Sequence, residues 1–158
     1  MKLTTHIFSP REISAKSSKF GLVTTQWSGD ITANLYKCVY ENLLHFGDSE
    51  QNIYNWEIPG GFELIYATDK LCQRGDLDVT IVIWVLIKVE IRHFEYIYEA
   101  VSKGIKYFNL KYDIPLIFFV LTDENKQKSI DRSDVNKDTK CSETVVKMAL
   151  FKKSLYSP

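Results

Sequence analysis

The sequence predicts an α/β protein, a three-layer α/β/α sandwich built on a four-stranded parallel sheet. Two apolar runs, residues 79–87 (broken only by Thr80) and residues 114–122, have strand length and carry almost no polar face. Such runs mark parallel strands covered on both sides. Stretches with helical spacing separate each strand-like run from the next. Strict alternation of this kind implies right-handed βαβ crossovers, which put helices on both faces of the sheet.

The elements follow in order. Residues 19–25, "KFGLVTT", are a short β-branched run and form the first strand; "QWSGD" then interrupts. Ile31, Leu35, Cys38, Val39, Leu43 and Leu44 recur at helical spacing, with Asp30 placed to cap the helix and Gly47 to stop it. Residues 52–58 make the second strand, ended by Pro59-Gly60-Gly61, and a second helix over residues 62–75 opens at the two glycines. The third strand is residues 78–87. A helix over 93–112 carries Phe94, Ile97, Ala100, Val101, Ile105 and Phe108 on one side. The fourth strand, 114–122, leads into a short helix over 123–132 capped by Asp123 or Thr122, and a last helix spans 142–156 after the polar loop "SDVNKDTK". Residues 1–18 fall outside the alternation and are expected to form an N-terminal arm, either disordered or paired with a neighbouring subunit's sheet edge. Residues 19–158 are expected to fold as a single domain, since 158 residues at 45% hydrophobic suffice for one core.

Composition narrows the function. Twenty Lys and Arg balance twenty Asp and Glu, so the chain lacks a basic footprint for nucleic acid or an anionic membrane, and its partners are expected to be proteins or small molecules. The longest apolar run is far below the roughly 20 residues that span a bilayer, and residues 1–18 have no apolar core like that of a signal peptide. A cytoplasmic location is expected. Cys38, Cys72 and Cys141 are widely spaced with no Cys-x-x-Cys pair, which points to reduced thiols rather than a zinc site or a disulfide framework.

In an open parallel sheet, ligands bind beyond the carboxyl ends of the strands. Trp27 stands just past the first strand, Gly60, Gly61, Phe62 and Glu63 past the second, and His93 past the third. An aromatic at a strand exit can stack on a flat ligand, and a glycine-rich helix start exposes N–H groups. Histidine can both accept and donate a proton near neutral pH. The chain has no G-x-G-x-x-G, P-loop or G-x-S-x-G motif, which disfavours the nucleotide sites and serine hydrolase chemistry built on them. It also lacks the acidic pair and phospho-acceptor aspartate of a receiver domain.

Four separated motifs, "EIPGGFEL" (57–64), "VLIKVEIRHFEYIYEAVSKGI" (85–105), "PLIFFVLTDENKQKSIDRS" (115–133) and "KCSE" (140–143), follow the aromatic Trp27. In this order and spacing the chain resembles lumazine synthases over roughly residues 19–150. The resemblance implies a flavodoxin-like fold and the penultimate step of riboflavin biosynthesis. In that step a ribitylaminopyrimidinedione condenses with 3,4-dihydroxy-2-butanone 4-phosphate, with no metal or organic cofactor. It also implies a homo-oligomer, pentamer or sixty-subunit shell, with active sites between subunits, and riboflavin synthase as a partner. Residue by residue, Trp27, with Ser28 beside it, matches the ring-stacking aromatic. Gly61, Phe62 and Glu63 match the turn that holds the ribityl chain, and Val85, Leu86 and Ile87 match the strand end whose backbone meets the pyrimidine. His93 matches the proton-transfer histidine, Phe118 a substrate-contacting aromatic from the adjacent subunit, and Arg132 the phosphate-binding arginine. Lys140 and Glu143 match a basic and an acidic residue near the pocket.

The family pattern G-x-V-I-x-G-x-T-x-H departs here at three places, with Trp84 and Val89 for its glycines and Ile91 for its threonine. The segment of Val89, Glu90 and Ile91 matches the family's phosphate cradle, so a β-branched residue at 89 would be strained if that position required positive φ. Arg92 adds a cation where a neutral residue is usual, and Phe119 replaces a small residue. Two readings follow: an active lumazine synthase with an altered phosphate site, or a catalytically impaired shell or scaffold protein of the same fold.

Overall fold

Nine consecutive buried residues make strand β3, Val79–Ile87, the axis of the molecule. Because side chains alternate along a strand, Ile81, Ile83, Val85 and Ile87 enter one core while Val82, Trp84 and Leu86 enter the other. Each large aliphatic side chain so buried contributes roughly 1.5–3 kcal/mol. The computed structural model describes residues 13–90, 92–132 and 140–156, the side chain of Arg132 excepted. Within it β3 pairs with β1 (Phe20–Thr25) on one side and β4 (Leu116–Asp123) on the other, and β2 (Ile53–Ile58) pairs with β1 at the edge. The order is β2-β1-β3-β4, parallel throughout.

Helices close both faces, as the alternation of elements requires. On the first core lie α1 (Gly29–His45), through Ile31, Leu35, Val39 and Leu43, and α5 (Lys140–Tyr156), through Val145, Val146 and Ala149. On the second lie α2 (Leu64–Gln73), through Leu64 and Leu71, and α3 (Phe94–Lys111), through Val101, Ile105 and Phe108. A short α4 (Lys126–Arg132) follows β4. Asn109 ties α3 to the next strand, donating from Nδ2 to the Leu116 carbonyl at 3.2 Å and accepting the Leu116 N–H at 2.9 Å.

Helix ends differ in detail from the sequence expectation. Ser28, not Asp30, is the N-cap of α1; it sits in the left-handed region (φ 56°, ψ 45°), and Asp30 lies in the first turn, where a negative charge suits the helix dipole. Gly47 ends α1 as expected, at φ 95°, with the N–H groups of Gly47 and Asp48 closing onto the carbonyls of Leu44 and Leu43. Asp123 and Thr122 do not cap α4. Asp123 is the last residue of β4, nearly buried, and takes a 2.8 Å hydrogen bond from the Ser129 hydroxyl, which leaves Asn125 Oδ1 to accept the Lys128 N–H at 3.0 Å. Helix α5 starts at Lys140, two residues sooner than expected.

The expected arm falls largely in residues 1–12, and most of the polar loop in residues 133–139; both stretches lie outside the described residues. Residues 13–18 pack on the domain. Ala15 is fully buried with its N–H on the Phe46 carbonyl at 2.9 Å, and Lys153 Nζ donates to Ser18 Oγ at 2.7 Å. None of the three cysteines is in a disulfide. Burial, with Asp69 adding to it, pushes the Cys72 thiol up to about 11, so it stays protonated at neutral pH. Among the described residues no helix is long and apolar enough to cross a membrane.

Asp48, just past α1, is buried. Its Oδ1 accepts the Ser49 N–H at 2.9 Å and Asn52 Nδ2 at 3.1 Å, but Oδ2 is buried without a partner. Burial raises its carboxyl above the ordinary value, outweighing those hydrogen bonds. A raised acid contributes stability below its unfolded value and loses it as pH rises through the folded value. Asp48→Asn is therefore expected to raise the melting temperature at pH 7, with the gain shrinking as pH falls toward 4. Thermal melts at both pH values check this, and an equal shift at both would count against it.

Candidate active site

The site begins with strand register. β1 and β2 run in step to Thr25 and Ile58, but pairing of β1 with β3 stops at Thr24 and Ile83. β3 continues on β4 as far as Ile87 opposite Asp123. Among the described residues, the β1-facing backbone edge of residues 84–87 therefore has no strand partner. At this carboxyl end lies a cleft of about 410 Å³ lined by Trp27, the turn 60–63, Trp84, Glu90, Arg92 and Ile97. That volume falls in the usual range for a small-molecule site.

Trp27 reaches the cleft through a tight turn. Gln26 donates its N–H to the Ile58 carbonyl at 2.8 Å, tying the exits of β1 and β2 together. The buried Thr32 hydroxyl then lies 3.1 Å from the Trp27 carbonyl and 3.0 Å from that of Ser28, and Thr25 Oγ1 lies 3.4 Å from the Trp27 carbonyl. The backbone is held while the indole stays 54% exposed, so Trp27 is a presented ring and not a core plug.

Past β2, Pro59 and the glycines lead into one helix-like turn in which Leu64 N–H meets the Gly61 carbonyl at 3.1 Å and Ala67 N–H meets that of Glu63 at 3.1 Å. Glu63 is the N-cap of α2 and lines the cleft with Phe62, itself 62% exposed. Gly61 lies directly on Trp84: a β-carbon at 61 would fall 2.3 Å from the indole Cζ2. Trp84 is buried, stacking on Phe118 (centroids 6.2 Å) and Tyr98 (6.4 Å), and Phe94 continues the stack at 6.5 Å from Tyr98.

Past β3 the chain makes a 3₁₀ turn, Lys88–Glu90, before α3. Among the described residues only Ser17 and Ser28 combine a side chain with positive φ, so the strain expected of a valine at 89 does not arise. Val89 is exposed. Ile91 lies outside the described residues. Glu90 and Arg92 line the cleft, and Arg92 has no ion-pair partner among the described residues, whereas Lys88 pairs with Glu95 at 3.6 Å. His93 is the N-cap of α3, exposed, with its ring tilted against Tyr96 at 6.4 Å.

One chain thus unites Trp27, Gly61, Phe62, Glu63 and Glu90 of the expected residues, with Ser28 in the turn beneath Trp27. His93 does not line the cleft. Val85, Leu86 and Ile87 do not line it either: they are buried, with their side chains in the core. Phe118 is partly buried in the aromatic stack, Arg132 ends α4, and Lys140 and Glu143 stand in the first turn of α5, where Glu143 pairs with Lys147 at 3.8 Å. Sequence reasoning missed Trp84 and Ile97 as lining residues. Trp84 was visible as a departure from glycine, while Ile97 looked like any apolar helix position.

This is an open-sheet α/β protein with a ligand cleft at the strand exits, floored by aromatic rings and edged by two carboxylates and an arginine. Residues 17–153 match the model of the 6,7-dimethyl-8-ribityllumazine synthase family. Proteins of that name from Flavobacterium johnsoniae and Flavobacterium psychrophilum are 42% and 43% identical over 142 residues, covering 88% of this chain and 75% of each relative. One from Bacteroides fragilis is 33% identical over 140 residues, 87% of this chain and 98% of the relative. The chain belongs to the 6,7-dimethyl-8-ribityllumazine synthase family, transferases of riboflavin biosynthesis.

Thr32→Val removes the hydroxyl that secures the Trp27–Ser28 turn and leaves a carbonyl less well paired. It is expected to cost about 1–2 kcal/mol of stability, measured by denaturant unfolding, and to broaden the indole resonance of Trp27.

Proposed function

We propose that the protein condenses 5-amino-6-(D-ribitylamino)uracil with 3,4-dihydroxy-2-butanone 4-phosphate to give 6,7-dimethyl-8-ribityllumazine. The observation that carries this reading is the meeting of Trp27 with the Gly61–Glu63 turn in one cleft at the strand exits, in a chain of this family. Trp27 offers a flat π-face to the pyrimidine. The unpaired edge of residues 84–87 offers N–H and C=O groups to its polar rim, the role proposed for Val85, Leu86 and Ile87. The Glu63 carboxylate accepts from ribityl hydroxyls beside Gly61 and Phe62, with Ser28 supporting the turn under Trp27.

The 5-amino group attacks the ketone, and loss of water leaves an imine. Removal of a carbon-bound proton expels phosphate, and after tautomerisation the ribitylamino nitrogen closes the ring with loss of a second water. Each stage moves a proton, for which His93 at the start of α3 is the proposed carrier. The segment of Glu90 and Ile91 with Arg132 takes the phosphate, and Arg92 supplies a cation where the family's threonine is absent. Phe118, Lys140 and Glu143 are assigned to the pocket's far wall.

The large exposure of Trp27, Phe62, Tyr66 and Tyr96 supports an assembly in which neighbouring copies cover the clefts, as a pentamer or a sixty-subunit shell. Riboflavin synthase, which would consume the product, is the proposed partner, and the cytoplasm the proposed location.

Mixing purified protein with both substrates and following the lumazine by absorbance and fluorescence tests the reading; no rate above the uncatalysed condensation, in a protein that sediments as an oligomer, would favour a scaffold. His93→Ala is expected to lower kcat at least about tenfold with smaller changes in either KM. For Arg92→Ala the expected change is a raised KM for the butanone phosphate with the KM for the pyrimidine unchanged, and a KM for the butanone phosphate equal to that of the wild type would remove Arg92 from the phosphate site.

A further inference from the structure

Gly61 follows β2 and Trp84 lies in β3, yet no side chain fits at 61 while the indole is in place. A β-carbon at 61 would stand 2.3, 2.4 and 2.7 Å from Cζ2, Cε2 and Nε1 of Trp84, all below any real contact distance. The ring cannot swing clear. It is 2% exposed and packs against both Phe118 and Tyr98, at interplanar angles of 20° and 18°, and those two rings are themselves 6.4 Å apart, which closes a three-ring cluster. Close-packed interiors shift strain instead of absorbing it, so the element free to move is the turn. That turn carries Phe62 and Glu63 into the cleft, and Trp84 itself lines the cleft.

We propose that Trp84 is a positioning residue for the pyrimidine site: its indole sets the height of the Gly61–Glu63 turn, and so places Glu63 for the polyol side chain of the ligand. The rigid aromatic stack is the base, the glycine the contact that lets the turn seat fully on it, and Glu63 the group delivered. A displacement of the turn of even 1 Å moves the carboxylate out of hydrogen-bond range. The effect is confined to the turn side of the cleft; Arg92 and Glu90, which leave β3 through the 3₁₀ turn, are untouched by it.

The inference rests on the function proposed above, and the test separates the two. Binding of the ribitylaminopyrimidine to the assembled protein is measured by calorimetry in four proteins: wild type, Gly61→Ala, Trp84→Leu and the double variant. Leucine stays apolar while removing Cζ2, Cε2 and Nε1, the atoms that a β-carbon at 61 would meet. Gly61→Ala is expected to weaken pyrimidine binding at least tenfold while the KM for the butanone phosphate changes less than twofold. In the double variant, binding returns to within threefold of Trp84→Leu alone. If Gly61→Ala fails to fold, recovery of a folded, binding protein by the added Trp84→Leu carries the same conclusion. Unchanged binding in Gly61→Ala overturns the proposal, as does a double variant no better than Gly61→Ala. A wild-type protein that does not bind the pyrimidine at all counts instead against the proposed function.

Discussion

The molecule depends on the unequal reach of the strands beside β3. A central strand buried on both faces must satisfy its backbone through its neighbours, and β3 does so with β1 only as far as Ile83 while β4 follows it to Ile87. The four residues beyond Ile83 are apolar in their side chains and carry a β1-facing backbone edge with no strand partner among the described residues. The cleft lies beside this step, where Trp84 lines it. Register is itself fixed by the two cores: slipping β3 by one residue would exchange the residues of the two faces, placing Trp84 among the aliphatic side chains under α1.

What could be read from the amino acids follows the same division. Element types and order were legible because continuous apolar runs and helical spacing encode burial on both faces, and these signals are strong in residues 79–87 and in α1 and α3. Positions in the cleft were legible where a residue type is unusual for its place, as with Trp27 past a strand end or glycines before a helix. Helix ends were less so. Asp30 and Asp123 are good capping residues by type, but Ser28 had already turned left-handed and Asp123 was drawn into the strand by Ser129, both of which depend on tertiary neighbours. The fit between Trp84 and Gly61 was invisible, because no local pattern tells which ring lies against which turn.

The segment after β3 accommodates its departures from the expected motif. Glycines are required where φ is positive or where backbone approaches something closely, and Val89 meets neither condition on the exposed 3₁₀ turn. The bulk gained at 89 points into solvent, and the bulk gained at Trp84 is absorbed by a stack of aromatic side chains from α3 and β4. Phe119, in place of a small residue, packs against the opposite core. The enlargements are distributed over separate places in the fold, so none adds to another.

The contact between Gly61 and the indole also sets an order of change. A β-carbon at 61 and the Trp84 ring exclude each other, so glycine at 61 must precede an indole at 84 or arrive with it. The reverse route is ordered too: while the indole stays, no side chain can enter at 61, and the ring has to shrink first.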